Sequence, residues 1–165
     1  MSATNRGALR RERDFYPTPE SAFKPLLEKV LPVNVRFYEP ARGDGRLVEW
    51  LRVSGRDAYG SDLAQGFDFL KRKKSFQRDF IITNPPFSLA QEFVTHALTL
   101  SDDVMMLLPL GFLGSQKRRD WFVVNEPAAL FVLSQRPSFT GDGKTDAADY
   151  AWFYWGNRWG GINHL

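Results

Sequence analysis

Cysteine is absent from this chain of 165 residues, and histidine occurs only as His96 and His164. The first absence excludes a disulfide framework, a cysteine zinc site, an iron–sulfur cluster and a thiol nucleophile. The second leaves too few imidazoles for a histidine metal centre, so no metal is expected. Long apolar runs are missing too. The stretch from Val104 to Leu110 falls far short of the ~20 residues that span a bilayer. The first residues are polar and arginine-bearing, without the apolar core of a secretory signal. A cytoplasmic protein without a membrane partner is therefore expected. No repeat, low-complexity tract or Pro/Gly-rich linker divides the chain. With 43% hydrophobic and 25% charged residues, it has the size and composition of one globular domain.

The net charge of +3 decides little alone, but its distribution says more. Arg6, Arg10, Arg11 and Arg13 sit in a leading arm, Lys71 to Lys74 form a run, and Lys117, Arg118 and Arg119 form a third cluster. Three basic clusters could serve a polyanion such as nucleic acid, or be three solvated surfaces. Aromatic residues reach 15%, including five Trp, more than a core of this size requires. Rings exposed beside basic clusters would suit base stacking.

Residues 1–13 lack apolar periodicity and read as a flexible basic arm; residues 14–165 read as a single domain. Thr18 before Pro19 marks a helix start, with Pro25 implying a kink or a short first turn. The pattern then alternates. Strands are expected at Asn34–Glu39, Asp57–Ser61, Asp79–Thr83, Val104–Leu108, Ala129–Leu133 and Tyr150–Trp155. Helices are expected at Arg46–Val53, at Leu89–Leu100 capped by Ser88, and from a Ser115 cap toward Val124. Alternation of this kind, with unbroken apolar strands, defines an α/β fold: a doubly wound, mostly parallel sheet with helices on both faces. Ligands of such folds bind beyond the carboxyl ends of the strands.

The first strand ends in Glu39-Pro40-Ala41-Arg42-Gly43-Asp44-Gly45, and a helix follows at once. Two glycines let the backbone turn tightly and approach a ligand closely. A dinucleotide fingerprint would want a third glycine at position 48, which is Val48, and Glu39 repels phosphate but attracts an ammonium. Ser61-Asp62 ends the second strand, where a carboxylate can accept hydrogen bonds from both hydroxyls of a ribose. Asp68-Phe69-Leu70 offers an acceptor beside a ring that could pack on a purine. The strongest signal is Asn84-Pro85-Pro86-Phe87 after the third strand. Two prolines freeze the backbone and remove two N–H donors, Asn84 adds a side-chain acceptor, and Phe87 presents an aromatic face. Such a pocket accepts two hydrogen bonds from an NH₂ group while stacking on a flat ring.

The series DFYPTPE (Asp14 to Glu20), YEPARGDG (Tyr38 to Gly45), Ser61-Asp62, Asp68 to Leu70 and NPPF (Asn84 to Phe87) resembles class I S-adenosylmethionine-dependent methyltransferases. Within them it is similar to the N6-adenine DNA methyltransferases, especially the compact kind often met in phages and prophages. Arg136 to Phe139 and Tyr150 to Phe153 resemble that family's last two strands. The resemblance covers roughly residues 14–156. It implies a Rossmann-like, mostly parallel seven-stranded sheet whose last strands are antiparallel, and S-adenosyl-L-methionine as cofactor. It implies that Tyr16, Thr18, Glu39, Pro40, Gly43, Gly45, Asp62, Asp68, Phe69 and Asn84 bind that cofactor. It further implies that Asn84, Pro85, Pro86 and Phe87 form the catalytic turn, with Phe87 stacking on the target base. Arg42 departs from the pattern, since that loop position is usually held by a small residue. Family members with sequence specificity carry a separate target recognition domain, for which this chain leaves no room.

The implied reaction is transfer of a methyl group to the exocyclic amine of a flipped adenine, with DNA as the expected partner and short or relaxed specificity. Lys117, Arg118, Arg119, Arg136 and Lys144, in loops leaving strand ends, are the expected phosphate contacts. The sequence also fits RNA adenine or protein-glutamine methylation, or a non-catalytic nucleic-acid-binding module of the same fold. It leaves a homodimer open.

Overall fold

Side chains alternate between the two faces of a strand, so a strand apolar at every position can only be satisfied by burial on both faces. Val104–Pro109 and Tyr150–Trp155 are of this kind. In the first, Met105 and Leu107 enter one core while Val104, Met106 and Leu108 enter another. In the second, Tyr150, Trp152 and Tyr154 join the first core, and Ala151, Phe153 and Trp155 the second. In this computed structural model, residues 16–73, 78–140 and 144–165 are described. The expected arm over residues 1–13, together with Asp14 and Lys74, lies outside the described residues.

Seven strands form one sheet: β1 (Arg36–Glu39), β2 (Asp57–Gly60), β3 (Phe80–Thr83), β4 (Val104–Pro109), β5 (Ala129–Val132), β6 (Tyr150–Trp155) and β7 (Gly161–His164). Their order is β2-β1-β3-β4-β6-β5-β7. All pairings are parallel except those of β6, which runs antiparallel to both β4 and β5. Helices α1 (Glu20–Lys29) and α2 (Arg46–Val53) contribute to the first core. Helices α3 (Ala90–Ala97) and α4 (Arg119–Val124) contribute to the second, on the other face. The expected doubly wound α/β architecture is thus the observed one. Trp152 is fully buried, and its Nε1–H donates to the Ala22 carbonyl at 2.8 Å, fastening α1 to the central sheet. Burial of a large side chain of this kind contributes roughly 1.5–3 kcal/mol.

Four local expectations are corrected. Helix α1 starts at Glu20 with Pro19 in the cap position, so Thr18 is not its cap, and Pro25 falls inside the helix. Ser88 is not the cap of α3. Instead the Leu89 amide donates to the Pro86 carbonyl at 2.9 Å, and Phe87–Leu89 wind as a 3₁₀ turn before the α-helix begins at Ala90. That tighter turn leaves Leu89 exposed. Ser115 precedes a second 3₁₀ turn, Gln116–Arg118, without a side-chain bond, and α4 begins only at Arg119. Finally, the seventh strand that the resemblance implies falls at β7, a segment the residue pattern did not mark: it pairs with β5 at the sheet edge and carries a single large apolar residue, Ile162.

The strand order places β2 and β3 on opposite sides of β1. The connections leaving β1 and β3 therefore diverge, opening a crevice beyond their carboxyl ends.

Candidate active site

Glu39, the last residue of β1, is 1% exposed. Its Oε1 accepts from the Ala41 amide at 3.0 Å and from the Thr83 hydroxyl at the end of β3, while Oε2 has no partner. Burial pushes this carboxyl from its ordinary 4.5 up to about 8, against the opposing pull of the two donors, and the nearby Asp62 adds to the rise. The sheet thus holds a carboxyl group at the switch point with one oxygen uncommitted.

The loop after Glu39 returns through two left-handed glycines, Gly43 at φ 53° and Gly45 at φ 85°, the second immediately before α2. The turn is closed by the Gly45 amide on the Arg42 carbonyl at 2.9 Å. It is fastened to the loop after β2 by the Gly43 amide on Asp62 Oδ2 at 2.8 Å. Asp62 Oδ1 takes the Ala64 amide at 2.9 Å, so this carboxylate organises two loops at once. The Arg42 side chain lies against two glycines. A Cβ on Gly45 would come within 2.8 Å of Arg42 Nε, and one on Gly60 within 3.0 Å of Arg42 Cδ.

After β3, Asn84 donates from Nδ2 to the Tyr16 carbonyl at 2.8 Å, leaving its Oδ1 as the uncommitted acceptor. Arg46 at the start of α2 donates to the Thr18 carbonyl at 3.3 Å and pairs with Asp44 at 2.6 Å. Residues 16–18 are therefore strapped across the crevice from both sides. The Phe87 ring lies nearly parallel to Tyr16, with centroids 6.1 Å apart at 11°, and an edge contact with Phe139 and a tilted one with Tyr150 complete an aromatic group.

Between these parts lies a cleft of about 430 Å³, walled by Tyr16 to Thr18, Ala41, Arg42, Asp44, Arg46, Leu47, Asp62 to Ala64, Asn84 and Pro86. That is the volume range of small-molecule sites. Seven buried side-chain polar atoms lack a partner among the described residues, and four belong to Thr18, Glu39, Arg42 and Asn84 around this crevice. Natural structures leave few such atoms, so their concentration here marks hydrogen-bonding capacity held for a ligand. Both signs of charge line the cleft, with Arg42 and Arg46 facing Asp44 and Asp62. This composition suits a zwitterion with hydroxyl groups.

Of the residues expected from sequence, the structure brings Tyr16, Thr18, Asp62, Asn84 and Pro86 to the cleft wall, with Glu39 beneath. Buried Pro40, Gly45 and Pro85, with the exposed Gly43, shape the loops beside it, and Phe87 the aromatic group. Asp68 and Phe69 are not brought there. Phe69 is 2% exposed, packed on Phe93, Tyr38 and His96 in the second core, with no face left for a purine. Asp68 caps its own 3₁₀ turn through Leu70 and pairs with Lys71 at 3.2 Å. The expected phosphate contacts also divide. Lys117 and Lys144 are exposed. Arg118 is drawn inward, its Nε on the Phe112 carbonyl at 2.9 Å and its guanidinium over the Phe112 ring. Arg136 is paired with Asp149 at 2.7 Å, and Arg119 faces a separate groove beside α4. Arg46 was missed as a cleft residue. Only its place at the helix start after the glycine loop could have pointed to it.

No group of three or more His, Asp or Glu suited to a metal ion occurs among the described residues, and no helix there is long and apolar enough to cross a membrane. No protein-family model matches the chain, and no curated protein sequence matches it. Solved structures do. A candidate RNA methyltransferase from Pyrococcus horikoshii matches with a TM-score of 0.65 at 14% identity, over 86% of this chain and 87% of that one. The modification subunit of a candidate type I restriction enzyme from Vibrio vulnificus gives 0.57 at 18%, over 95% of this chain. The match spans only 48% of that subunit. A TehB-like S-adenosylmethionine-dependent methyltransferase from Corynebacterium glutamicum gives 0.54 at 12%, over 93% and 94% of the two chains. The fold is that of the class I methyltransferases.

Proposed function

We propose that this chain transfers a methyl group from S-adenosylmethionine to the exocyclic amine of a flipped adenine in DNA, with short or relaxed sequence specificity. The observation that carries the reading is the Asn84–Phe87 turn at the switch point. The Asn84 amide is oriented by Tyr16 so that Oδ1 remains as a buried, unpartnered acceptor, and an aromatic ring stands beside it.

The cleft fits the cofactor. Thr18 Oγ1, Glu39 Oε2 and Arg42 Nε have unmet hydrogen-bonding capacity for its charged amino-acid end. Asp62 keeps lone pairs beyond those given to Gly43 and Ala64 and receives the ribose hydroxyls. Leu63 and Ala64, rather than Phe69, supply the apolar surface for its base. When bound, the cofactor supplies an electrophilic methyl group on a positively charged sulfur. The chain's own part is positional. Asn84 Oδ1 and the Pro85 carbonyl accept the two N–H bonds of the target amine, whose lone pair is otherwise delocalised into the ring. So held, the nitrogen would direct that pair toward the methyl group that a bound cofactor would present, and its surplus proton would leave to water. Positioning and electrostatics account for such a step without an acid–base pair or a metal. Phe87 holds the base by stacking, and the exposed Lys117 and Lys144 meet phosphates. The names of the Pyrococcus and Vibrio neighbours, both concerned with nucleic acid, support a polynucleotide over a protein substrate.

The test is to incubate the protein with methyl-labelled cofactor and DNA, RNA or protein. Label on adenine N6 of DNA is expected, and label confined to RNA or to glutamine overturns the assignment of substrate. Asn84→Ala should abolish transfer while calorimetric cofactor binding is weakened but retained; near-normal turnover of that variant refutes the mechanism. Mapping modified adenines in mixed-sequence DNA checks specificity, and a strict site of five or more defined bases would refute the relaxed reading.

A further inference from the structure

Helix α4 leaves two consecutive valines in water: Val123 is 79% and Val124 78% exposed. Beside it, the sheet ends on β7, where Ile162 is 71% exposed, and Leu113 is 42% exposed. Between α4, the start of β5 and β7 runs a groove of about 670 Å³, walled by Leu113, Phe122, Val123, Leu130 and Ile162. Its charged walls are Arg119 and Glu126, and neither has an ion-pair partner among the described residues. As the edge strand, the four-residue β7 carries no proline, no lysine and no acidic residue.

We propose that this face is a two-fold interface with a second copy of the chain, α4 packing antiparallel on α4 of its partner. The charges identify the occupant. Arg119 stands at the start of α4, and Glu126 lies two residues beyond its last residue, Val124. When the helix is laid antiparallel on its own copy, each Arg119 comes opposite a Glu126. The centre of the pairing then falls between Phe122 and Val123, where the apolar exposure is concentrated. A surface whose charges are complementary to their own image under a two-fold rotation is what an isologous dimer requires. The groove beside each helix receives the valines of the other copy, and Ile162 and Leu113 are covered at its flanks. The interface lies apart from the cleft at the carboxyl ends of β1 and β3, so it does not depend on the reaction assigned to that cleft.

Sedimentation equilibrium of the full chain tests the proposal. A dimer is expected, and Val123→Asp should convert it to a folded monomer as judged by circular dichroism. Arg119→Glu and Glu126→Arg should each raise the dimer dissociation constant about tenfold or more, because like charges then meet across the two-fold. Combined in one chain, the two swaps should restore association to near the native value. A native chain that stays monomeric overturns the proposal. So does a dimer indifferent to Val123→Asp, or a double swap no tighter than the single ones.

Discussion

Glu39 gives this protein a pH dependence opposite to that of an ordinary ion-paired carboxylate. Its carboxyl titrates at about 8 in the folded chain against an ordinary 4.5. Between those values the folded state keeps a proton that the unfolded state has released, so stability falls as pH rises. The contribution is fully present below pH 4.5 and is lost as pH passes through 8, at ~1.4 kcal/mol per pH unit and on the order of 5 kcal/mol in all. Glu39→Gln removes the charge but keeps an acceptor for the Ala41 amide and the Thr83 hydroxyl. Urea denaturation of both proteins without cofactor, at pH 5, 6, 7 and 8, isolates the effect. Relative to the variant, the native chain should lose roughly 4 kcal/mol between pH 5 and pH 8. A difference that stays flat across this range would refute the reasoning. The same group links to ligand binding. A cation placed against Oε2 favours the ionised form, so cofactor binding should release protons near neutral pH, visible as a buffer-dependent calorimetric enthalpy. Affinity should rise with pH from 6 to 8, and drop out of this dependence in Glu39→Gln.

Asp62→Ala should weaken cofactor binding by calorimetry by roughly 1–3 kcal/mol, since the proposed ribose contacts and the caps on Gly43 and Ala64 vanish together. Unchanged affinity in a folded variant would place the ribose elsewhere. Tyr154→Phe should lower stability by about 1–3 kcal/mol in a denaturant titration. The hydroxyl it removes donates to the nearly buried Asp103 and accepts from the Arg158 amide at 3.0 Å. Gly55 and Gly45 have nearly the same left-handed φ, 81° and 85°, but only the second faces Arg42. Gly55→Ala should cost ~1 kcal/mol and Gly45→Ala clearly more, with cofactor affinity falling as well; equal losses would show that the Arg42 contact gives way freely.

The parts of the fold that could be read from the sequence are those whose environment is the same on both sides. β3, β4 and β6 are apolar at nearly every position because both faces are covered, and their limits were expected to within a residue. β7 has no such pattern; Gly161 to His164 become a strand only because β5 offers an edge, a tertiary cause that leaves no trace in four residues. The Ser88 and Thr18 caps failed for a shared reason. A proline one or two positions away fixes the local backbone, and the chain enters its helix through a different turn. Within the site, the Asn84–Phe87 turn was legible because prolines specify its geometry locally. The role expected of Phe69 depended on what surrounds a ring, and Phe93, Tyr38 and His96 surround it.

The bond from Asn84 Nδ2 to the Tyr16 carbonyl joins residues 68 positions apart, and it alone among the described contacts tells the amide which way to face. The strap that provides it is held by that bond, by Arg46 on Thr18 and by the Tyr16 ring, while the central strands are fixed by continuous ladders. Release of the strap therefore costs far less than opening the sheet. A released strap leaves the amide free to rotate, presenting donors where the proposed reaction needs an acceptor. Function is accordingly more fragile than structure in this chain. On warming, activity should fade while the circular dichroism of the sheet is still intact, and it should return on cooling without refolding.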